Sequence, residues 1–174
     1  KIDSELQKEI EKATENNSEL EYAKNQITDG NKMIGLSEVK GPGVIIKVED
    51  SKIDPNAEMN LNNLLVHDMD LLKVINELKN AGTEAIAIND QRIISTTSII
   101  CGGNTISING TKIGSPFEIK AIGSPEALAN LERPGGCINN LKEKGLIAEL
   151  KKDNNITIPK YSGVLNFKYL SNVD

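Results

Sequence analysis

The sequence predicts an α+β fold: a ferredoxin-like split βαβ core with an inserted β-hairpin region, preceded by an N-terminal helix. Three observations carry this. The opening 28 residues hold no Gly or Pro and repeat apolar residues every seven positions. From Val44 onward the elements run strand, helix, strand, strand, helix, strand once a run of short strands is set aside. The two most β-branched, apolar runs, Val44–Val48 and Phe117–Ile122, are the ones such a sheet needs at its centre.

The first element spans residues 1–30 and reads as a helical stalk. Leu6, Ala13, Leu20 and Ile27 recur at heptad spacing, while Asp3, Ile10, Asn17 and Lys24 occupy the companion positions. Half of that seam is polar or small. A helix this poor in apolar surface does not stand alone, so it is either one strand of a coiled coil, with Asn17 setting register, or a solvated helix leading into the domain. Asp29-Gly30-Asn31 is expected to stop it.

Residues 33–174 read as the globular domain. Gly41-Pro42-Gly43 punctuates the start of the Val44–Val48 strand, and polar Glu49 to Asn63, with Pro55, reads as a long surface loop. Asp68 is the expected cap of a helix whose Leu71, Val74, Ile75 and Leu78 share one face. Gly82 ends that helix in the left-handed conformation, and Glu84–Ile88 is a second strand. Short strands follow over Arg92–Ile94, Ser98–Cys101, Thr105–Ile108 and Thr111–Ile113, with Asn109-Gly110 as the hairpin signal. After the FEIKAI strand, Ser124 caps a short helix with Pro125 at its first position. Cys137–Lys144 is a further helix ended by Gly145, and Leu146–Leu150 with Asn155–Ile158 reads as a closing hairpin.

Charge and composition bound the function. The net charge of -5 argues against nucleic acid, whose binding requires a basic surface that displaces counterions. Aromatic residues make up 3% with no Trp, so the core must be aliphatic. The sequence has no apolar run long enough to cross a bilayer. It opens at Lys1 within a helical pattern, and the expectation is a piece of a longer protein with a signal peptide or membrane anchor upstream.

Few residues offer chemistry. His67, Asp68 and Asp70 form the most suggestive cluster, but a metal site needs ligands that converge, and these three at successive helix-start positions do not supply them. The structural reading is preferred: Asp68 caps, Asp70 favours the positive helix end, and His67 packs or hydrogen-bonds at the entry. Asn89, Asp90, Gln91 and Arg92 follow a strand, where Arg92 would clamp a carboxylate or phosphate or, more plainly, pair with Asp90 or a neighbouring acid beside a tight turn. Cys101 and Cys137 lack zinc spacing, so they read as a disulfide or as two free thiols. The glycine-rich pieces lack the spacing and the Lys of a phosphate loop. With one His and no nucleophile elbow, a Ser-His-Asp site is discounted. No catalytic set and no cofactor are expected.

Ordered motifs add a resemblance. GPGV at Gly41–Val44, HDMDLLKVINEL at His67–Leu78, AGTEAIAINDQRI at Ala81–Ile93 and SIICGG at Ser98–Gly103 come first. AIGSP at Ala121–Pro125, RPGG at Arg133–Gly136 and IPKYSG at Ile158–Gly163 follow. In this order they resemble the bacterial domain-of-unknown-function 881 family, which includes division-initiation proteins of Gram-positive bacteria. The resemblance implies one amino-terminal membrane helix, a coiled coil, and this domain on the extracytoplasmic side of the cell membrane. It implies a loose link to division or sporulation, and it supplies no established catalytic residues to carry over. The resulting expectation is a non-enzymatic interaction or scaffold module whose partner is an envelope or divisome protein, or a second copy through the N-terminal helix. The alternative is a small-ligand or cell-wall-fragment sensor, with the Asn89–Arg92 and Glu49–Asn63 loops lining its pocket.

Overall fold

The structure is a computed structural model that describes residues 8–9, 18–52, 64–166, 168–171 and 173. The heptad positions Asp3, Leu6, Ile10, Ala13 and Asn17 lie outside these residues, as does most of the Glu49–Asn63 loop.

Helix α1 (Ser18–Met33) leads into strand β1 (Val39–Glu49), helix α2 (Asp68–Asn80) and strand β2 (Ala85–Ile88). Four short strands follow: β3 (Gln91–Ile93), β4 (Ile99–Cys101), β5 (Ile106–Ile108) and β6 (Thr111–Ile113). Strand β7 (Phe117–Ile122), helix α3 (Pro125–Ala129), helix α4 (Cys137–Glu143) and strand β8 (Ile147–Ile158) complete the chain. The main sheet runs β3-β2-β7-β1-β8 with every neighbouring pair antiparallel, so β1 and β2 are parallel and β7 lies between them. This places Val44–Val48 and Phe117–Ile122 in the interior of the sheet.

Strand alternation decides which side chains meet the helices. Val44, Ile46 and Val48 of β1 join Phe117, Ile119 and Ala121 of β7 in one buried cluster with Leu71, Val74, Ile75 and Leu78 of α2. Leu128 from α3 and Ile138 and Leu141 from α4 complete that layer. Each such buried aliphatic side chain stabilises by roughly 1.5–3 kcal/mol, which is how a chain without Trp sustains its core. The short strands divide: β3 joins the main sheet as an edge, and β4-β5-β6 form a second sheet whose Ile106 and Ile108 enter the same core.

Local chemistry explains most boundaries. Ser124 caps α3 by accepting a hydrogen bond from the Ala127 N–H at 3.4 Å, with Pro125 next. Asn109 and Gly110 both take positive φ, as a two-residue hairpin turn requires.

Three expectations are corrected. Helix α1 does not stop at Asp29-Gly30-Asn31 but continues to Met33. Its end is set by Gly35 at φ +84, where the Leu36 N–H reaches the Asn31 carbonyl (2.8 Å) and the Gly35 N–H the Lys32 carbonyl (3.2 Å). Gly30 stays helical because the true left-handed cap lies five residues later. Asp68 is not the cap of α2: His67 holds that position, and its backbone N–H donates to Asp70 Oδ2 at 3.1 Å. Finally, β8 is one continuous strand, not a hairpin. Its polar Asn154 and Asn155 form a bulge, since Gly41 pairs with Ile156 but Gly43 with Asp153. Pro42 sits opposite that bulge and has no N–H for the ladder, so the extra residue falls where a bond is missing.

Gly43 itself is where two backbones meet. A Cβ there would lie 1.9 Å from the Ala121 carbonyl oxygen. Gly43→Ala should therefore destabilise the domain by about 3 kcal/mol, read as a lower midpoint in urea denaturation. A loss under about 0.5 kcal/mol would show that β1 and β7 separate freely at this point.

Candidate functional site

The face of the main sheet away from the helices is partly open. Cross-strand pairing puts Gly43, Ile122 and Ala85 side by side on that face, with Val39 opposite Ile158 and Ala87 opposite Arg92. Gly41, Gly43, Ala85 and Ala87 are small, so the surface is a trough. Above it stands the C-terminal end of α1. Between them is a cavity of about 690 Å3, floored by Val39, Ala85 and Ile122 and flanked by Lys32, Lys40 and Arg92. Glu38 and Glu84 complete its rim. This size falls in the range of ordinary small-ligand sites.

Arg92 anchors the site. It is only 3% exposed. Its Nη1 donates to the Ser37 carbonyl (3.1 Å) and the Pro159 carbonyl (3.2 Å), and its Nη2 to the Lys32 carbonyl (3.2 Å). The guanidinium thus ties together the end of α1, the linker to β1 and the segment after β8. Burial lowers its pKa, yet a guanidinium titrates so high that it stays charged. The Tyr161 N–H adds a bond to the Gly35 carbonyl at 2.8 Å, closing the same junction.

The other residues of that sequence cluster lie elsewhere. Asn89 and Asp90 form the β2–β3 turn, both at positive φ. Asn89 is held by β7 and its approach: its Oδ1 accepts from the Glu118 N–H (3.0 Å) and its Nδ2 donates to the Pro116 carbonyl (3.2 Å). Asp90 pairs with Lys120 at 2.9 Å, not with Arg92, and this bond raises the Lys120 pKa. Gln91 begins β3. Of the four, Arg92 alone lines the cavity.

The His67 cluster and Cys101, far apart in sequence, come together where β4 meets the start of α2. The bonding is reciprocal: Asp68 Oδ2 accepts from the Cys101 N–H (2.9 Å), and Cys101 Sγ accepts from the Asp68 N–H (3.2 Å). His67 Nδ1 lies 3.8 Å from that sulfur. The bond from the Cys101 backbone, with a further one from Met69, holds the Asp68 carboxyl below its usual range. Burial, with Asp68 and Asp70 nearby, raises the Cys101 thiol, so it is neutral at physiological pH and a poor nucleophile. Asp70 is buried and pairs with Lys144 beyond α4. Cys137, at the base of a cleft between α2 and α4, is pushed up to about 12 by burial and by Glu77. Both cysteines are free thiols. Among the described residues no three of the His, Cys, Asp and Glu side chains gather as a metal-ligand set.

Residues 26–171 match the family described as a bacterial protein of unknown function, DUF881. The chain belongs to this family. A relative, UPF0749 protein YlxW of Bacillus subtilis (strain 168), is 34% identical over 124 residues, covering 71% of this chain and 53% of that protein. UPF0749 protein Rv1825 of Mycobacterium tuberculosis (strain ATCC 25618 / H37Rv) is 30% identical over 131 residues, covering 72% of this chain and 41% of that protein. This DUF881 chain therefore spans about half the length of those relatives or less. A crystal structure of an uncharacterized conserved protein from Mycobacterium tuberculosis shares the fold, with TM-score 0.69 and 25% identity, over 85% of this chain and 99% of that one.

Sequence reasoning found Arg92 but assigned it an external anion or Asp90. It missed Lys32, Lys40, Ala85 and Ile122, which carry no chemical motif and meet only through the sheet order. The one signal was the dense run of small residues in GPGV and TEAIAI, which marks a shallow strand surface.

Two outcomes follow for this region. Arg92→Lys should cost about 2–4 kcal/mol in chemical denaturation, because one ammonium cannot span three separate carbonyls; amide exchange at Lys32–Ser37 should accelerate with it. Because the Asp68 carboxyl is depressed in the folded state, its stabilisation is present above the ordinary carboxylate range and lost as pH falls through its folded value. Asp68→Asn should accordingly flatten the acid limb of a stability-versus-pH curve.

Proposed function

We propose that this chain is a non-enzymatic interaction or scaffold module, the extracytoplasmic part of a membrane-anchored envelope protein with a role in cell division or sporulation. Helix α1 carries this reading. None of its residues is buried in the domain, yet Leu20 and Ile27, seven positions apart on it, are 42% and 58% exposed. A helix that presents an apolar seam at heptad spacing and does not spend it on its own domain is suited to another helix. The junction at Arg92 supports the same view, since it fixes where that helix leaves the domain.

A second reading has its own support: the cavity of about 690 Å3 beside Arg92 is the size of a small-ligand site, as a wall-fragment sensor would need. It does not require the helix to pair.

A photo-crosslinking residue at Ile27, in the full-length protein in living cells, tests the first reading. Adducts with a second copy or with an envelope protein are expected, and Ile27→Glu should abolish self-association in sedimentation without moving the domain's melting temperature. Adducts only with cytoplasmic proteins, or none, would count decisively against it.

A further inference from the structure

The groove under α1 has a charge pattern that singles out one class of ligand. Three cations, Lys32, Lys40 and Arg92, line it against two carboxylates, Glu38 and Glu84, in a chain whose overall charge is -5. Arg92 is the unusual member. It is almost wholly buried, and among the described residues no carboxylate pairs with it; only carbonyl dipoles do. A desolvated cation without a counter-charge attracts an anion more strongly than the same group in water. Lys40 is exposed on the rim, and Lys32 is partly occupied by Asp29 at 3.0 Å. Between these cations the floor is apolar, made by Val39, Ala85 and Ile122, and the small residues around it leave room above the sheet.

We propose that this groove takes an amphipathic small ligand with one anionic head, carboxylate or phosphate, and a compact apolar body. The head sits by Lys40 in the field of Arg92. The body lies on Ala85 and Ile122, in the space bounded by Met33 of α1. This assignment rests on the second, ligand-binding reading above. A ligand held there touches the end of α1 and the sheet at once, so its binding reports on the set of the helix against the domain.

The test is a 1H–15N NMR titration of the chain with decanoate, decyl phosphate and decanol, each below its aggregation limit. Saturable shifts at Val39, Lys40, Ala85 and Ile122 are expected for both anionic probes, with decanol about tenfold weaker. Lys40→Glu, an exposed change, should weaken the anionic probes about five- to tenfold and leave decanol unchanged. If one anionic probe binds and the other does not, the head is that group and the proposal stands. If decanol binds as well as the anions, the anionic assignment is overturned while a ligand-binding groove survives. If none of the three moves the groove residues, both are overturned.

Discussion

The buried guanidinium of Arg92 organises this molecule. It sits on the edge strand β3 and gives its hydrogen bonds to three carbonyls that are remote in sequence: Lys32, Ser37 and Pro159. The Lys32 carbonyl belongs to the last turn of α1, where the helix dipole is negative, so the cation also meets a favourable field. Among the described residues, the backbone bonds that remain at this junction without it are those of the Gly35 turn and the one from the Tyr161 N–H to the Gly35 carbonyl. The planar fork of Arg suits this task because its donors point in fixed, separate directions. Removing it would take a donor from each of these three carbonyls at once and leave the junction to weaker local bonds.

How much of this could be read from the sequence depended on whether the cause was local. Strands β1 and β7 were legible because β-branched runs need a two-sided apolar setting, and the caps at Ser124 and Gly82 because each depends on its own few neighbours. The errors have one origin. Asp29-Gly30-Asn31 has the composition of a helix stop, but Gly35 is the residue with a tertiary reason to turn, packed against Ile94 and Arg92. Lys151–Asn154 has the composition of a turn, but Lys151, Lys152 and Asp153 pair with β1 and the two residues after them are absorbed as a bulge, so the strand continues. Asp68 looked like a cap until Cys101, thirty-three residues away, occupied its carboxylate.

The candidate site was the least legible part for the same reason. Its floor comes from three strands, its rim from the end of α1, and its charge from a side chain that reaches across the sheet. What sequence treated as two separate features, the His67 cluster and the lone Cys101, is one clasp between α2 and β4. There the thiol acts as a hydrogen-bond acceptor inside a packed joint and is held neutral, so its chemistry is that of a fastener.

Strand β8 has a bearing on crowding. It forms an outer border of the main sheet, twelve residues long, and a flat border of that length would invite neighbouring copies to zip together edge to edge. The bulge opposite Pro42 kinks it, and Lys151 and Lys152 place charge along it. The interruption that lets a proline sit inside the sheet thus also keeps that sheet from growing. Many copies held close together can remain individual domains and associate, if at all, through surfaces other than this border.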